Sequence, residues 1–368
     1  MRVILAILLF AHGLIHLMGF AKAFALADLP ALKGAISRPA GSAWLLAALL
    51  YVGAGILFLS GSDSWWMPGA GALVLSQMLI IRSWGDAKFG TVANAIILVP
   101  LVIALANALP SSYRNSFRRE AMRGLERRPA QAVLREGDIA RLPRPVQEYL
   151  RFAGALGKPV PGNFRAMIEG QIRSDMNGRW MDIRARQYEF FDEPARVFLI
   201  ESSIFGIPFD GLHIYRRGIA TMQIQVGSLV QVVDAKGPEM NQGETVTLFN
   251  DMCLLAPATL ADRNIRWDSL APLSVRASFS AGGNTIHAEL SFGPGGELTG
   301  FSSQDRYQST DGVVYNRYGW STPVGQYSDF HGVKIPSYGE AIWHTPRGDF
   351  AYARFTIKEL EYDCSAFP

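Results

Sequence analysis

The sequence predicts a four-helix membrane bundle joined to an α+β soluble domain, the latter built on one large antiparallel sheet with inserted helices. Three observations carry this. Residues 1–110 hold six of the 35 Lys/Arg and three of the 32 Asp/Glu, so the remaining 258 residues carry 29 of each. Four apolar runs of near-spanning length fall in that charge-poor first third. From about residue 163 onward apolar and polar residues alternate, the period of a half-buried strand. A wholly soluble chain is thereby excluded, as is a disordered or collagen-like one. The later residues are charge-neutral without a sustained basic stripe, so a nucleic-acid partner is not expected. Cys253 and Cys364 make neither a disulfide framework nor a CxxC metal site.

The first apolar run, Val3 to Phe24, is interrupted only by His12, His16 and Lys22. As a helix it extends about 33 Å, against a hydrocarbon core of roughly 30 Å. Arg2 ahead of an apolar run also fits a signal peptide. This run is long for one, carries two histidines and is followed by further spans, which favours a retained helix. The second span is Ala43 to Leu59. The third runs from Trp66 to Ile81, with Trp65 and Trp66 as interfacial anchors and Pro68 in its first turn. The fourth is Thr91 to Leu109, bent at Pro100. Short loops imply a compact bundle, which Gly13, Gly19, Gly53, Gly55, Gly69 and Gly71 let close tightly.

An even number of spans puts the N-terminus and the soluble part on one side. Flanking basic residues, seven against five, favour a cytoplasmic soluble part. The count reverses if the arginines between Arg114 and Arg128 belong to an exported domain, so the side stays open. Residues 111–128 carry six arginines against two glutamates, with Phe117, Met122 and Leu125 as apolar points. This is a basic amphipathic connector, either lying along anionic headgroups or simply solvated. The domain limits are therefore 1–110, 111–128 and 129–368, in a multi-pass protein of the plasma membrane.

Pro145 starts a short helix through Tyr149, Leu150 and Phe152. Ser274 to Ser280 and Asn284 to Phe292 then alternate cleanly around Gly282-Gly283, a hairpin signal. Further strands are expected at about 163–174, 180–191, 195–204, 209–217, 219–226, 298–309, 313–320, 335–344 and 350–362. Glu244 to Leu255 has helical spacing, with Val246, Phe249, Met252 and Cys253 around one face, and Pro257 stops it. About eleven strands with one or two helices make a sheet whose apolar face must be covered, and helices across its concave side do this.

The end of the chain carries a resemblance. Tyr327-Ser-Asp-Phe-His-Gly-Val-Lys-Ile-Pro336, Glu340-Ala-Ile-Trp343 and Phe355-Thr-Ile-Lys-Glu-Leu-Glu-Tyr362 resemble the last strands of LolA/LolB-like lipoprotein-carrier domains. The whole chain also looks like a bacterial membrane family of unknown function. The residues that carry this are His12-Gly-Leu-Ile-His16-Leu-Met-Gly-Phe20, Asp86-Ala-Lys-Phe-Gly-Thr-Val-Ala-Asn94 and Gly348-Asp-Phe-Ala-Tyr352. The carrier resemblance implies a LolA-like half-barrel whose apolar concave face holds acyl chains, and a bacterial inner-membrane setting. Carriers of that type are secreted or lipid-anchored and lack four spans, and no lipid-handling residue of theirs is matched here.

His12 and His16 lie one turn apart on one helix face, near the middle of the first span. Ionisable groups at that depth face the bundle interior and are functional candidates. His16, Gln77 and Asn94 fall on the same half of their spans, so they share a layer below Trp84, Asp86 and Lys88. Such a layer fits interhelical hydrogen bonding, or a pocket for a headgroup, a quinone or a proton. Two histidines on one face cannot ligate opposite sides of a haem iron, and zinc wants more ligands than Asp86 adds. No cofactor or metal is assigned. In the soluble part Glu340 and His344 point the same way and are an acid–base pair or solvated neighbours. Asp305-Arg306-Tyr307 sets charge in an aromatic strand. Trp320, Tyr315, Tyr318, Tyr327, Tyr338, Trp343, Phe350 and Tyr352 form core or the wall of an apolar site. No GxSxG, HExxH, P-loop or dinucleotide fingerprint occurs, so no catalytic residue is named and the sequence leans away from an enzyme. The candidate ligand-binding residues are His12, His16, Gln77, Asn94, Trp320 and Trp343. The expected function is binding of a lipid or another long apolar ligand at the membrane, for transfer or sensing. Its alternatives are a membrane oxidoreductase or proton-coupled enzyme using the histidines, and an assembly or signalling protein whose β domain binds a protein partner.

Overall fold

The computed structural model describes residues 2–127, 132–204 and 207–368. The chain divides into two compact units, Met1–Ser112 and Tyr113–Pro368. Arg128, the last arginine of the basic run, and the expected boundary beside it lie outside the described residues.

The first unit is helical. It comprises α1 (Arg2–Ala23), α2 (Arg38–Leu59), α3 (Trp66–Arg82), a single turn α4 (Trp84–Ala87) and α5 (Gly90–Ala108). α2 starts earlier than its apolar run because Ser37 caps it, accepting from the Ala40 N–H, and Pro39 sits in its first turn. α5 runs on through Pro100. Among the described residues, three helices are long and apolar enough to cross a membrane: Val3–Ala23, Arg38–Leu59 and the segment Gly90–Leu125, whose apolar part is α5. This corrects the expected count of four spanning helices. α3 has 17 residues, about 25 Å of helix, because Ser83 ends it. Two glycines show why the bundle closes tightly. A Cβ on Gly19 would enter the Trp44 ring, and one on Gly55 would press on Phe10.

The second unit is one 13-stranded antiparallel sheet wrapped around a helix. β1 (Asn163–Ile172), β2 (Met181–Phe190), β3 (Ala195–Ile204), β4 (Ile207–Arg216), β5 (Ile219–Val226) and β6 (Val230–Lys236) form one meander. β7 (Ile265–Ala271), β8 (Ser274–Ala281), β9 (Asn284–Phe292), β10 (Leu298–Gln308), β11 (Asn316–Phe330), β12 (Val333–Thr345) and β13 (Gly348–Tyr362) form a second. β1 pairs with β13, which joins the two. The sequence reading therefore missed β6 and β7. Both are the outermost strands, and β7 buries a single residue, Ile265, so neither needs a strong alternating pattern.

The sheet curls until its far ends meet. Asn284 Nδ2 donates to Gly218 O (2.9 Å), and Tyr315 OH bridges the N–H and carbonyl of Lys236 (3.1 Å each). Gly218 and Gly282 both have positive φ, and a Cβ on either would strike the other's backbone, so only glycine allows these two turns to touch. Inside the curl lies α9 (Pro238–Leu255), buried on every side from Gly243 to Cys253. Phe249 stacks on Phe279 at 5.0 Å and meets Phe301 edge-on at 5.9 Å. Burying this ring alone contributes about 1.5–3 kcal/mol. A short helix α7 (Glu136–Ile139) and α8 (Arg144–Phe152) add Ile139, Val146, Tyr149 and Leu150 to the same core.

The connector helix α6 (Tyr113–Leu125) packs on the opposite face of the sheet. Its Phe117, Ala121 and Leu125 bury against Tyr188, Phe190, Val197 and Leu199 of β2 and β3. Of the connector's three apolar points, Phe117 and Leu125 are thus taken by the sheet, and Met122 stays exposed.

Candidate functional site

Between α9 and the first meander the sheet leaves a cavity of about 600 Å³. Alternation places one side chain in two on this concave face. Its walls are apolar: Ile168 from β1, Phe198 and Ile200 from β3, Ile224 from β5, and Phe355 and Ile357 from β13. Ile204 and Val232 line it while remaining about half exposed, so they mark an apolar rim.

Its far end is charged. Arg196 of β3 is buried, and its Nε donates to Asp251 Oδ2 (2.8 Å) while its Nη1 reaches Glu244 Oε2 (3.3 Å). Both carboxylates lie on α9, seven residues apart, and so share a helix face. Gln187 Nε2 donates to Asp251 (2.8 Å) and to Glu189 (3.1 Å). Arg306 of β10 donates to Glu244 Oε1 (3.4 Å), and its guanidinium lies over Trp320 (4.3 Å to the ring centre) and Trp343 (5.5 Å). Beside it Thr322 donates to Asn250 Oδ1 (2.6 Å).

Glu244 and Glu189 are shifted in opposite directions. Burial works to raise the Glu244 pKa. The facing His213 ring, at 3.7 Å too far for a hydrogen bond, and the Arg196 and Arg306 charges outweigh burial and hold it at about 2. Glu189 is pushed well above the carboxylate range by burial and by the neighbouring Asp251 charge.

The predicted residues fall as follows. Trp320 and Trp343 both line the cavity, and Trp320 Nε1 donates to Tyr352 OH (3.2 Å). Asp305 and Arg306 go to opposite faces. Arg306 enters the cavity, whereas Asp305 binds His287 (3.1 Å) and Arg317 (2.7 Å) on the outside. Glu340 and His344 do not pair. Glu340 accepts from Tyr338 OH (2.7 Å), while His344 meets Ser321 Oγ (2.8 Å) and Asp349 Oδ1 (2.7 Å). That trio sits on the open outer face of three paired strands, with His344 and Asp349 at 42% and 70% exposure, so solvent competes for every contact in it.

In the helical unit the predicted polar layer assembles with three members the sequence did not place in it, Tyr51, Ser76 and Thr91. His12 Nε2 donates to Asn94 Oδ1 (2.9 Å), which also accepts from Tyr51 OH (2.7 Å). Asn94 Nδ2 donates to Ser76 Oγ (3.0 Å) and Gln77 Oε1 (2.9 Å), and Gln77 Nε2 to Thr91 Oγ1 (3.2 Å). His16 Nδ1 donates to the His12 carbonyl (2.7 Å), which leaves Nε2 to accept from Ser76 Oγ (2.9 Å). His12, His16, Tyr51, Ser76 and Asn94 are all buried. The layer is thus one hydrogen-bonded chain through α1, α2, α3 and α5. Above it Asp86 accepts from the Gly34 N–H (2.8 Å).

What sequence reasoning missed in the β unit is the cluster of Arg196, Glu244 and Asp251. A partial signal was present, since Glu244 and Asp251 stand seven residues apart on one helix face and Arg196 heads the apolar run Val197–Ile200.

No curated protein matches the chain. Among solved structures, a DUF1329 family protein from Desulfovibrio piger aligns at 10% identity over 61% of this chain and 93% of its own, with a TM-score of 0.36. A LolA superfamily protein from Nitrosomonas europaea aligns at 9% identity over 61% of this chain and 94% of its own, with a TM-score of 0.35. The family model of DUF6544, a family of unknown function, matches residues 132–355, and the chain belongs to that family.

Proposed function

We propose that this protein binds a lipid or another long apolar molecule inside its β unit while its helices hold it in a bilayer, for transfer or sensing at the membrane surface. The observation that carries this is the cavity. Its volume of about 600 Å³ falls inside the 300–1,000 Å³ usual for ligand sites. Its walls are largely aliphatic and aromatic, with the Arg196, Glu244, Asp251 and Arg306 cluster among the polar lining, and this mixture suits an amphiphile. The half-exposed Ile204 and Val232 at the rim ease the passage of a chain out of an apolar surround.

In this reading α1, α2 and α5 cross the bilayer, and Trp65 and Trp66 at the start of α3 suit an interface. The bilayer is the bacterial plasma membrane. The layer of His12, His16, Gln77 and Asn94 serves as an interhelical clamp, because its polar groups find one another across the helices.

The test is photolabelling of the full chain with a diazirine-bearing alkyl chain, with adducts mapped by peptide mass spectrometry. Adducts on β3, β5 and β13 are expected, reduced by Ile224→Trp, which fills the cavity. Adducts confined to residues 2–108, unchanged by that substitution, would sink the proposal.

A further inference from the structure

Of the two guanidiniums in the cluster, Arg306 is the one with unspent donors. Arg196 engages all three of its nitrogens, with Asp251, Glu244 and Gln187 as acceptors at 2.8, 3.3 and 3.5 Å. Arg306 has one long hydrogen bond, from Nη2 to Glu244, and its Nε is buried without an acceptor among the described residues. Its side chain is 12% exposed and lines the cavity, with the Trp320 and Trp343 rings beside the guanidinium plane. A guanidinium carries five N–H donors, and leaving donors unspent in an apolar space is costly. The aromatic faces attract the charge but accept none of the in-plane hydrogen bonds. Bidentate recognition of carboxylate or phosphate is what a planar fork of this kind does best.

We propose that Arg306 is the headgroup receptor of the cavity and that its ligand is an amphiphile with an acidic oxygen head, a carboxylate or a phosphate. The head lies against Arg306 between Trp320 and Trp343, and the hydrocarbon chain runs along Phe198, Ile200 and Phe355. This rests on the reading of the cavity as a lipid site and adds the class of lipid. Glu244 holds the guanidinium in place from behind, and Arg196 with Asp251 holds Glu244 and the helix carrying it.

The experiment uses the full chain in amphipol and displacement of a neutral pyrene-bearing alkane. Oleate and oleyl phosphate are compared with methyl oleate and oleyl alcohol. The acids are expected to bind at least about tenfold tighter than the neutral ligands, the scale of one charge-assisted hydrogen bond. Arg306→Gln should erase that ratio while changing methyl oleate affinity less than about threefold, since the apolar walls are untouched. Arg306→Lys keeps the charge without the fork, should retain part of the ratio, and replaces the glutamine variant if that one does not fold. Whichever acid binds tighter identifies the head as carboxylate or phosphate. Equal binding of acids and neutral ligands, or a ratio that survives both substitutions, overturns the role of Arg306 and leaves the lipid site standing. If neither acid nor neutral ligand displaces the probe, the lipid site itself fails and this inference with it.

Discussion

Replacing Arg196 with methionine tests the energetic centre of the β unit. Methionine keeps most of the volume and packing against Phe198, whose ring centre lies 4.5 Å from the guanidinium, but removes the charge. Asp251 would keep Gln187 Nε2 at 2.8 Å and Asn250 Nδ2 at 3.2 Å, and Glu244 would keep Arg306 at 3.4 Å. Breaking a buried ion pair from one side usually costs about 3–5 kcal/mol. Two neutral donors remain on Asp251, so the loss belongs at the low end, about 3 kcal/mol at pH 7. Protonation sets a ceiling, because neutralising a carboxylate of ordinary pKa near 4 at pH 7 costs about 4 kcal/mol. That ceiling falls by about 1.4 kcal/mol for each pH unit below 7, so the penalty should shrink towards pH 5. The sign follows from the orphaned carboxylate. Its folded-state pKa rises, so the variant regains stability as pH falls. Urea unfolding of the full chain, followed by tryptophan fluorescence and far-ultraviolet dichroism at pH 7 and pH 5, gives both values. A loss below about 1 kcal/mol, or one equal at the two pH values, would refute the view that Arg196 neutralises buried carboxylates.

Three further outcomes follow. Gly218→Ala should destabilise the β unit by more than about 1 kcal/mol, since its φ of +81° is combined with backbone contact at Gly282, and a melting temperature within a degree of the parent would contradict this. Asn94→Ala should cost the helical unit about 1–2 kcal/mol by taking the hub from the layer joining His12, Tyr51, Ser76 and Gln77, and should leave unfolding of the β unit unmoved. Glu244 contributes stability that is complete above pH 4.5 and disappears as pH falls towards 2, a loss on the order of 3 kcal/mol; Glu244→Gln should flatten acid unfolding over that window, and an unchanged acid limb would count against the depressed carboxyl.

How legible each part was follows from how local its cause is. The hairpin of β8 and β9 was readable almost to the residue, because Val275, Ala277 and Phe279 alternate with polar neighbours and Gly282-Gly283 supplies the turn. β11 was expected to stop near Trp320 but continues to Phe330, through Pro323. A proline removes one ladder donor, so it suggests a strand end that pairing with β12 overrides. In the helical unit the histidine spacing pointed to an inward polar face, whereas Ser76 and Tyr51 carry no such mark, since serine and tyrosine are unremarkable in apolar helices.

The sequence by itself determined that a charge-poor helical unit precedes a long run of antiparallel strands. Charge segregation, apolar run length and period-two alternation depend only on near neighbours, so they survive without a structure. Tertiary structure decided where the curled sheet leaves a cavity and what chemistry stands at its end. Arg196, Glu244, Asp251 and Arg306 come from β3, α9 and β10, segments separated by up to 110 residues. Their meeting depends on the sheet closing around α9, and no local pattern encodes a contact made only when the two ends of the sheet come together.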